Sequence, residues 1–224
     1  MSPALALTIE EKDKVIERIA SRYQKRWLRG YVKGKMKTDP AYQITLETAK
    51  DSNLPLLDLG CGMGFLAFYL REFGLNMPIR GIDFDPKKVR AAQEIADVHY
   101  SGAEFIVRDV AAAHDFSGNV VMLDVLQYLD MGSQRKILNQ MPDLVAPGGF
   151  CLIRATPGDS SWRFRITRWV DQINGGNWMK TGPVHYQTIA EITEPFFSAG
   201  FKGEVKPLWG NTPFNSHLFL FRRD

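Results

Sequence analysis

The sequence predicts an α/β fold around a mostly parallel sheet. Three observations lead there. An apolar run, Leu56-Leu57-Asp58-Leu59, meets an acid and then a glycine-rich bend, Gly60-Cys61-Gly62-Met63-Gly64. Short apolar runs then alternate with helix-patterned segments as far as about residue 153. The first of these runs, Ile79 to Phe84, again ends at an acid, Asp83, ahead of the helix start Asp85-Pro86. With 224 residues, 45% of them hydrophobic, the chain is long enough for one large core.

Each element has its own justification. Thr8-Ile9-Glu10-Glu11 has the form of a capping box, so a helix is expected there. Val15, Ile16, Ile19, Tyr23 and Trp27 fall on one face of it. Gly30 and Gly34 interrupt the basic stretch after Trp27, and Asp39-Pro40 breaks the chain before another short helix. Residues 1–50 therefore read as a helical cap on a domain spanning 51–224. The glycine bend comes after the first strand, and a helix is expected from Phe65 to Phe73. Glycine serves a bend in two ways: it accepts positive φ, and its missing Cβ lets a ligand lie against the backbone. The helix start behind the bend leaves free N–H donors.

Ile79 to Phe84 is the second strand, closed by Asp83, which lies 25 residues after Asp58. A carboxylate there is suited to accept two ribose hydroxyls. Asp85-Pro86 reads as a cap followed by the first helical residue. Phe105-Ile106-Val107 and Val120 to Leu123 are the third and fourth strands, and Phe150 to Ile153 the fifth. The segment 156–186 opens with the turn Thr156-Pro157-Gly158-Asp159 and carries Trp162, Arg163, Phe164, Arg165, Arg168, Trp169 and Trp178. Ile166, Trp169, Val170 and Ile173 have helical spacing, and packing is expected for Trp169. Because such a segment emerges from the carboxyl ends of the strands, it reads as a lid over a site. A last helix is expected from Gln187 to Phe197.

The spacing of the glycines narrows the ligand class. Dinucleotide enzymes use G-x-G-x-x-G/A, whereas here the third glycine comes one residue early and Phe65 takes the dinucleotide position. The string D-x-G-x-G-x-G resembles motif I of class I S-adenosylmethionine-dependent methyltransferases. An ordinary glycine turn would give the same string, but further matches come in order: Gly81-Ile82-Asp83, Arg108-Asp109-Val110, Asp124 to Leu129, the Pro147-Gly148-Gly149 step before strand five, and Ala199-Gly200-Phe201 before the closing hairpin. The resemblance covers roughly Leu54 to Arg222. It implies a doubly wound, Rossmann-like, seven-stranded, mostly parallel sheet with an antiparallel last strand. It also implies S-adenosyl-L-methionine as cofactor and S-adenosyl-L-homocysteine as product. By resemblance, Asp58, Gly60, Cys61, Gly62 and Gly64 hold the amino-acid end of the cofactor and Asp83 its ribose. Asp109 would bond the adenine amino group and Val110 would lend a backbone N–H. Phe84 and Asp124 are counted with them, Asp124 in the segment that runs beneath the methyl donor.

The acceptor side rests on chemistry. Methyl transfer from a sulfonium is an in-line displacement, so the protein's tasks are alignment and exclusion of water. Positive charge disappears as it proceeds, and apolar or aromatic linings such as Phe65, Leu126 and Tyr128 suit that. An oxygen acceptor gains from a base. Of the four histidines, His185 precedes the last helix at the lid edge and is the candidate base or anchor, with Tyr186 beside it. His99, His114 and His217 are the others. Arg29, Tyr31 and Lys35 on the cap, and Arg154 at the end of strand five, are candidate anion contacts.

Composition bounds the rest. Net charge is +3, yet residues 22–37 hold seven Lys/Arg and no Asp/Glu, a basic belt on a mildly acidic body. The belt is either a solvated helix face or a surface for an anionic partner. No run is long enough to span a membrane and no signal peptide is evident, so a cytoplasmic location is expected. Two cysteines make no disulfide framework. Asp124 and Asp130 form no recognisable ligand set, so no metal is expected. Asp124-Val125-Leu126-Gln127 lacks the motif of amino-directed enzymes, and no Pro-Cys is present there. A small-molecule acceptor remains. The string Arg29 to Lys35 followed by Asp39-Pro40 resembles bacterial methyltransferases associated with aryl polyene pathways, which implies an aromatic acceptor, presented free or on an acyl carrier protein. An RNA methyltransferase using the belt, and a binding protein without turnover, are the other two readings.

Overall fold

The computed structural model describes residues 9–174, 185–209 and 212–224, and the side chains of 171–174 are not among them. Thr8 of the expected capping box, Trp178 and most of the second half of the expected lid lie outside the described residues. The chain divides into two compact units, Met1–Asp109 and Val110–Asp224.

The first unit opens with three helices, α1 (Ile9–Ser21), α2 (Arg26–Thr38) and α3 (Pro40–Ala49). Val15, Ile16 and Ile19 are buried on α1 as their spacing predicts. The helix does not continue to Trp27. The Ser21 hydroxyl donates to the Arg18 carbonyl at 2.7 Å and the chain turns there, which buries Tyr23 and leaves Trp27 54% exposed. Nor do Gly30 and Gly34 break α2; a Cβ at either would meet nothing within 4 Å, so they sit within an ordinary helix. Asp39 caps α3, accepting from the Ala41 N–H at 3.0 Å, with Pro40 at the first helical position. Then come β1 (Leu56–Leu59), α4 (Phe65–Glu72), β2 (Ile79–Asp83), α5 (Pro86–His99) and β3 (Ala103–Val107). β1 pairs in parallel with β2 and β2 with β3. All four residues of β1 are buried, as expected of a strand covered on both faces.

The second unit contains β4 (Asn119–Leu123), a short 3₁₀ turn (Leu126–Tyr128), α6 (Met131–Leu144), β5 (Phe150–Ala155), α7 (Trp162–Asn174), α8 (Ile189–Ser198), β6 (Lys202–Pro207) and β7 (His217–Arg222). β4 and β5 are parallel; β7 runs antiparallel to both β5 and β6. The strands form one seven-stranded sheet in the order β3-β2-β1-β4-β5-β7-β6. Phe219 and Phe221 of β7 are fully buried, and Phe221 stacks on Phe196 of α8 with ring centroids 4.0 Å apart. Burial of a Phe side chain contributes about 1.5–3 kcal/mol. Thr188 and Glu191 form a capping box, so α8 starts two residues later than its apolar pattern indicates. α7 confirms a helix in the expected lid region, but Trp169 does not pack: it is 65% exposed.

Among the described residues no helix is long and apolar enough to cross a membrane. Both cysteines are free and buried, and burial pushes both thiols up.

Candidate functional site

The bend after β1 is built from three left-handed residues. Gly60, Gly62 and Gly64 have φ of 81°, 55° and 78°. The N–H groups of Gly60 and Cys61 both donate to the Ile82 carbonyl of β2, at 2.7 and 3.0 Å. Gly64 caps α4 in the left-handed region, and a Cβ there would lie 2.8 Å from the Phe68 ring. Gly62 differs: a Cβ would meet nothing within 4 Å. Its missing side chain therefore answers to no protein neighbour, as expected where a ligand approaches the backbone.

Asp83 closes β2 and organises the bend. One carboxylate oxygen accepts from the Gly62 N–H and the other from the Asp85 N–H, each at 2.9 Å. Each oxygen keeps a second lone pair for a further donor. Asp85 is the α5 cap, accepting from the Lys87 N–H at 2.9 Å, as the sequence predicts. Phe84, directly after Asp83, is 56% exposed, an uncovered aromatic face beside a buried acid. Gly81 is needed for another reason: a Cβ there would lie 2.5 Å from the Phe105 ring.

Asp58 carries the unusual electrostatics. It is 3% exposed, and burial, then the nearby Asp83 carboxylate, push its acid up to about 7. Two carboxylates share this corner, an arrangement that a positively charged ligand would relieve. Asp109 is exposed, following β3.

The cap residues offered for an acceptor are placed more modestly. Arg29 donates through Nε to the Tyr23 carbonyl at 2.6 Å. Lys35 pairs with Asp39 at 3.4 Å, so its charge is already matched. Lys33 and Lys37 pair with Glu17 and Asp13, which neutralises much of the basic belt from within. Tyr31 is 45% exposed and its ring lies 6.1 Å from that of Phe65.

In the second unit, Asp124 directly follows β4 with φ 59°, the one non-glycine residue with positive φ among those described. Asp tolerates this region better than most residues. Arg154 of β5 grips it with two bonds, Nε to Oδ1 at 2.7 Å and Nη2 to Oδ2. The sequence offers these two residues to different ligands; the structure joins them to each other, and Arg154, with only 8% of its side chain exposed, is not a free anion contact.

His185, Tyr186 and Tyr128 are brought together through main-chain ties. The His185 N–H donates to the Gln127 carbonyl at 3.1 Å, next to Tyr128, while the Gln134 amide donates to the His185 carbonyl at 3.0 Å. The Tyr186 ring meets Phe164 edge-on at 4.9 Å, and the Gly158 N–H donates to the Gln187 carbonyl at 2.9 Å. The imidazole of His185 is half-buried and is not what anchors the segment. Gln134, fully buried, is not legible as a site residue in the sequence; a glutamine inside a helix pattern gives no signal of a long-range bond to the main chain. Val110 is buried, and its carbonyl lies 2.8 Å from His114 Nε2. His217 is held by Nδ1 on the Asn215 carbonyl at 3.0 Å. Among the described residues no group of three or more His, Cys, Asp or Glu side chains is placed to hold a metal ion.

Residues 50–181, more than half of the chain, match the model of the family described as "Methyltransferase domain". The chain belongs to this family. The glycine bend and Asp83 both belong to the matched stretch. The ribosomal protein L11 methyltransferase of Burkholderia multivorans is 27% identical over 113 residues, which are 49% of this chain and 35% of that protein. The match thus spans about a third of that relative's length. The fold is similar to magnesium protoporphyrin IX methyltransferase from Synechocystis PCC 6803, solved with bound SAH, with a TM-score of 0.64 and 18% identity over 94% of this chain and 93% of that one. It is also similar to an O-methyltransferase family protein from Burkholderia thailandensis, with a TM-score of 0.62 and 18% identity over 94% and 64%.

Proposed function

We propose that this methyltransferase transfers the methyl group of S-adenosyl-L-methionine to a small-molecule acceptor, aromatic and either free or carried on an acyl carrier protein. The observation that carries the cofactor assignment is the pairing of an open Gly62 with a buried Asp58 whose acid is raised by burial and by Asp83. The residues fit the group. The amino-acid end lies along Gly60, Cys61, Gly62 and Gly64, with its ammonium answering Asp58. Asp83, already turned by two backbone amides, takes the ribose hydroxyls on its remaining lone pairs. Phe84 offers its exposed ring to the adenine, and Asp109 and Val110 supply polar contacts to it. The bound cofactor supplies an electrophilic methyl on a sulfonium.

Asp124, by this reading, acts on the cofactor side through a backbone fixed by the Arg154 grip. Arg154 itself positions rather than binds. Tyr128, His185 and Tyr186 are assigned to the acceptor, with His185 taking the proton of an acidic hydroxyl; its main-chain ties leave the imidazole available for that. Arg29, Tyr31 and Lys35 are assigned to the acceptor's entry, with Lys35 acting only where an anion displaces Asp39.

The deciding experiment uses labelled methyl donor with phenolic acids and their carrier-linked forms. Label transfer to such a compound, lost in Gly62→Ala, supports the reading. Transfer to ribosomal protein or RNA, with none to any phenolic compound, refutes the small-molecule assignment.

A further inference from the structure

A second recess lies in the first unit, against the Met63 side of the glycine bend. It encloses about 450 Å³ between the α1–α2 junction and one face of α5, and none of Asp58, Gly62 or Asp83 lines it. Its wall carries four cations, Arg22, Lys25, Lys87 and Lys88, against two carboxylates, Asp85 and Glu94. Asp85 is committed to capping α5. Lys25, Lys87 and Lys88 take part in none of the ion pairs seen among the described residues, in contrast to Lys33, Lys35 and Lys37 further along the same belt. Arg22 bonds the Tyr100 hydroxyl, which itself donates to Glu72 at 2.9 Å, yet its Nε is buried without an acceptor. A buried donor left unmet costs free energy that an incoming acceptor recovers.

The apolar part of the recess is as specific as the charged part. Trp27, which sequence periodicity places in the core, stands 54% exposed at its edge. Leu28, Met63 and Ile95 complete the apolar wall. Cations grouped beside an exposed indole suit a ligand that has negative charge at one end and a flat face at the other.

We propose that this recess is a binding site for a small organic anion with a flat apolar body, an aryl carboxylate or an aryl phosphate. The guanidinium of Arg22 and the ammonium groups of Lys25 and Lys88 take the anionic head, and Trp27 takes the ring. The site stands on these residues and does not depend on the identity of the methyl acceptor. The Tyr23 hydroxyl, at the floor of the recess, donates to the Met63 carbonyl in the glycine bend at 3.0 Å, so an occupant adjoins the bend without entering it.

Calorimetric titration of the full chain tests this with four probes: 1-naphthoate, 1-naphthyl phosphate, the neutral 1-naphthamide and inorganic phosphate. The expected result is that at least one naphthyl anion binds at least tenfold more tightly than both the amide and phosphate; which anion is tighter separates a carboxylate from a phosphate ligand. The double variant Lys25→Met/Lys88→Met and the single variant Trp27→Leu should each raise its Kd at least tenfold, with thermal melts matching the parent because these side chains are not buried. Binding should persist in saturating S-adenosyl-L-homocysteine. Equal affinity for naphthamide, unchanged affinity in both variants, or displacement by the homocysteine compound overturns the proposal. So does binding of a short single-stranded RNA in the absence of binding by either naphthyl anion.

Discussion

Asp58 gives the sharpest test of the cofactor cradle. The perturbation is Asp58→Asn, which keeps the shape and removes the charge. In the folded chain the acid is raised from an ordinary 3.8 to about 7 by burial and by Asp83. At 1.36 kcal/mol per tenfold change, ionised Asp58 costs the ligand-free fold on the order of 4 kcal/mol. The sign follows from linkage. Between about pH 4 and pH 7 the folded chain holds a proton that the unfolded chain has released, so the stability attached to Asp58 is present at low pH and is lost as pH rises through 7. Asp58→Asn should therefore match the parent near pH 4 and exceed it by roughly 2–4 kcal/mol at pH 8. Urea unfolding at pH 4, 6 and 8 without cofactor measures this. The same variant should bind S-adenosyl-L-methionine at least tenfold more weakly, through loss of a charge-assisted bond of about 1.5–3 kcal/mol. A variant no more stable than the parent at pH 8, or one that binds the cofactor as well, refutes the idea that Asp58 is a buried anion waiting for a cation.

Further outcomes are expected. In the parent chain, cofactor affinity should rise with pH up to about 7 and level off above it, as Asp58 ionises, and binding near pH 6 should release a proton, visible as a buffer-dependent heat. Gly62→Ala should cost about 1–2 kcal/mol of stability for its positive φ and abolish cofactor binding, whereas Gly81→Ala, whose Cβ would meet the Phe105 ring at 2.5 Å, should cost stability of about 1–3 kcal/mol; chemical denaturation and calorimetry separate the two. Asp124→Gly should relieve the positive φ yet remove the carboxylate from a buried Arg154, for a net loss of about 2 kcal/mol; a more stable variant would show that the ion pair contributes nothing. His185→Ala should leave the melting temperature within about 1–2 °C of the parent, because the main chain makes the ties, while turnover falls; an unchanged rate from about pH 6 to 9 eliminates it as a base.

Legibility in the sequence tracks how local each feature is. The glycine bend, the strand-closing Asp83 and the Asp85-Pro86 cap each depend on a few adjacent residues, and the structure has each where the sequence puts it. The closing strands are legible only through the family resemblance at Ala199-Gly200-Phe201, because β6 is polar and exposed and carries no apolar pattern of its own. Features set by distant partners are not. Trp27 and Trp169 fit apolar helix faces by spacing, yet Trp27 lies beyond the end of α1 and Trp169 sits on the uncovered side of α7. The basic belt reads as uniform, but several of its lysines find carboxylates on α1 or at Asp39, and periodicity carries no information about such pairings. Asp124 and Arg154 are 30 residues apart in the chain; only the β4–β5 register, which sets Leu123 beside Arg154, brings them into reach.

Cys61 sits within the bend, 7% exposed, with a thiol that burial keeps protonated. A thiol is alkylated only as its thiolate and only when reached. Iodoacetamide should therefore label Cys61 at the rate at which the bend opens, making the residue a built-in clock for local fluctuation. Occupancy of the cradle would slow that clock, which offers a way to detect ligands that leave no spectroscopic trace.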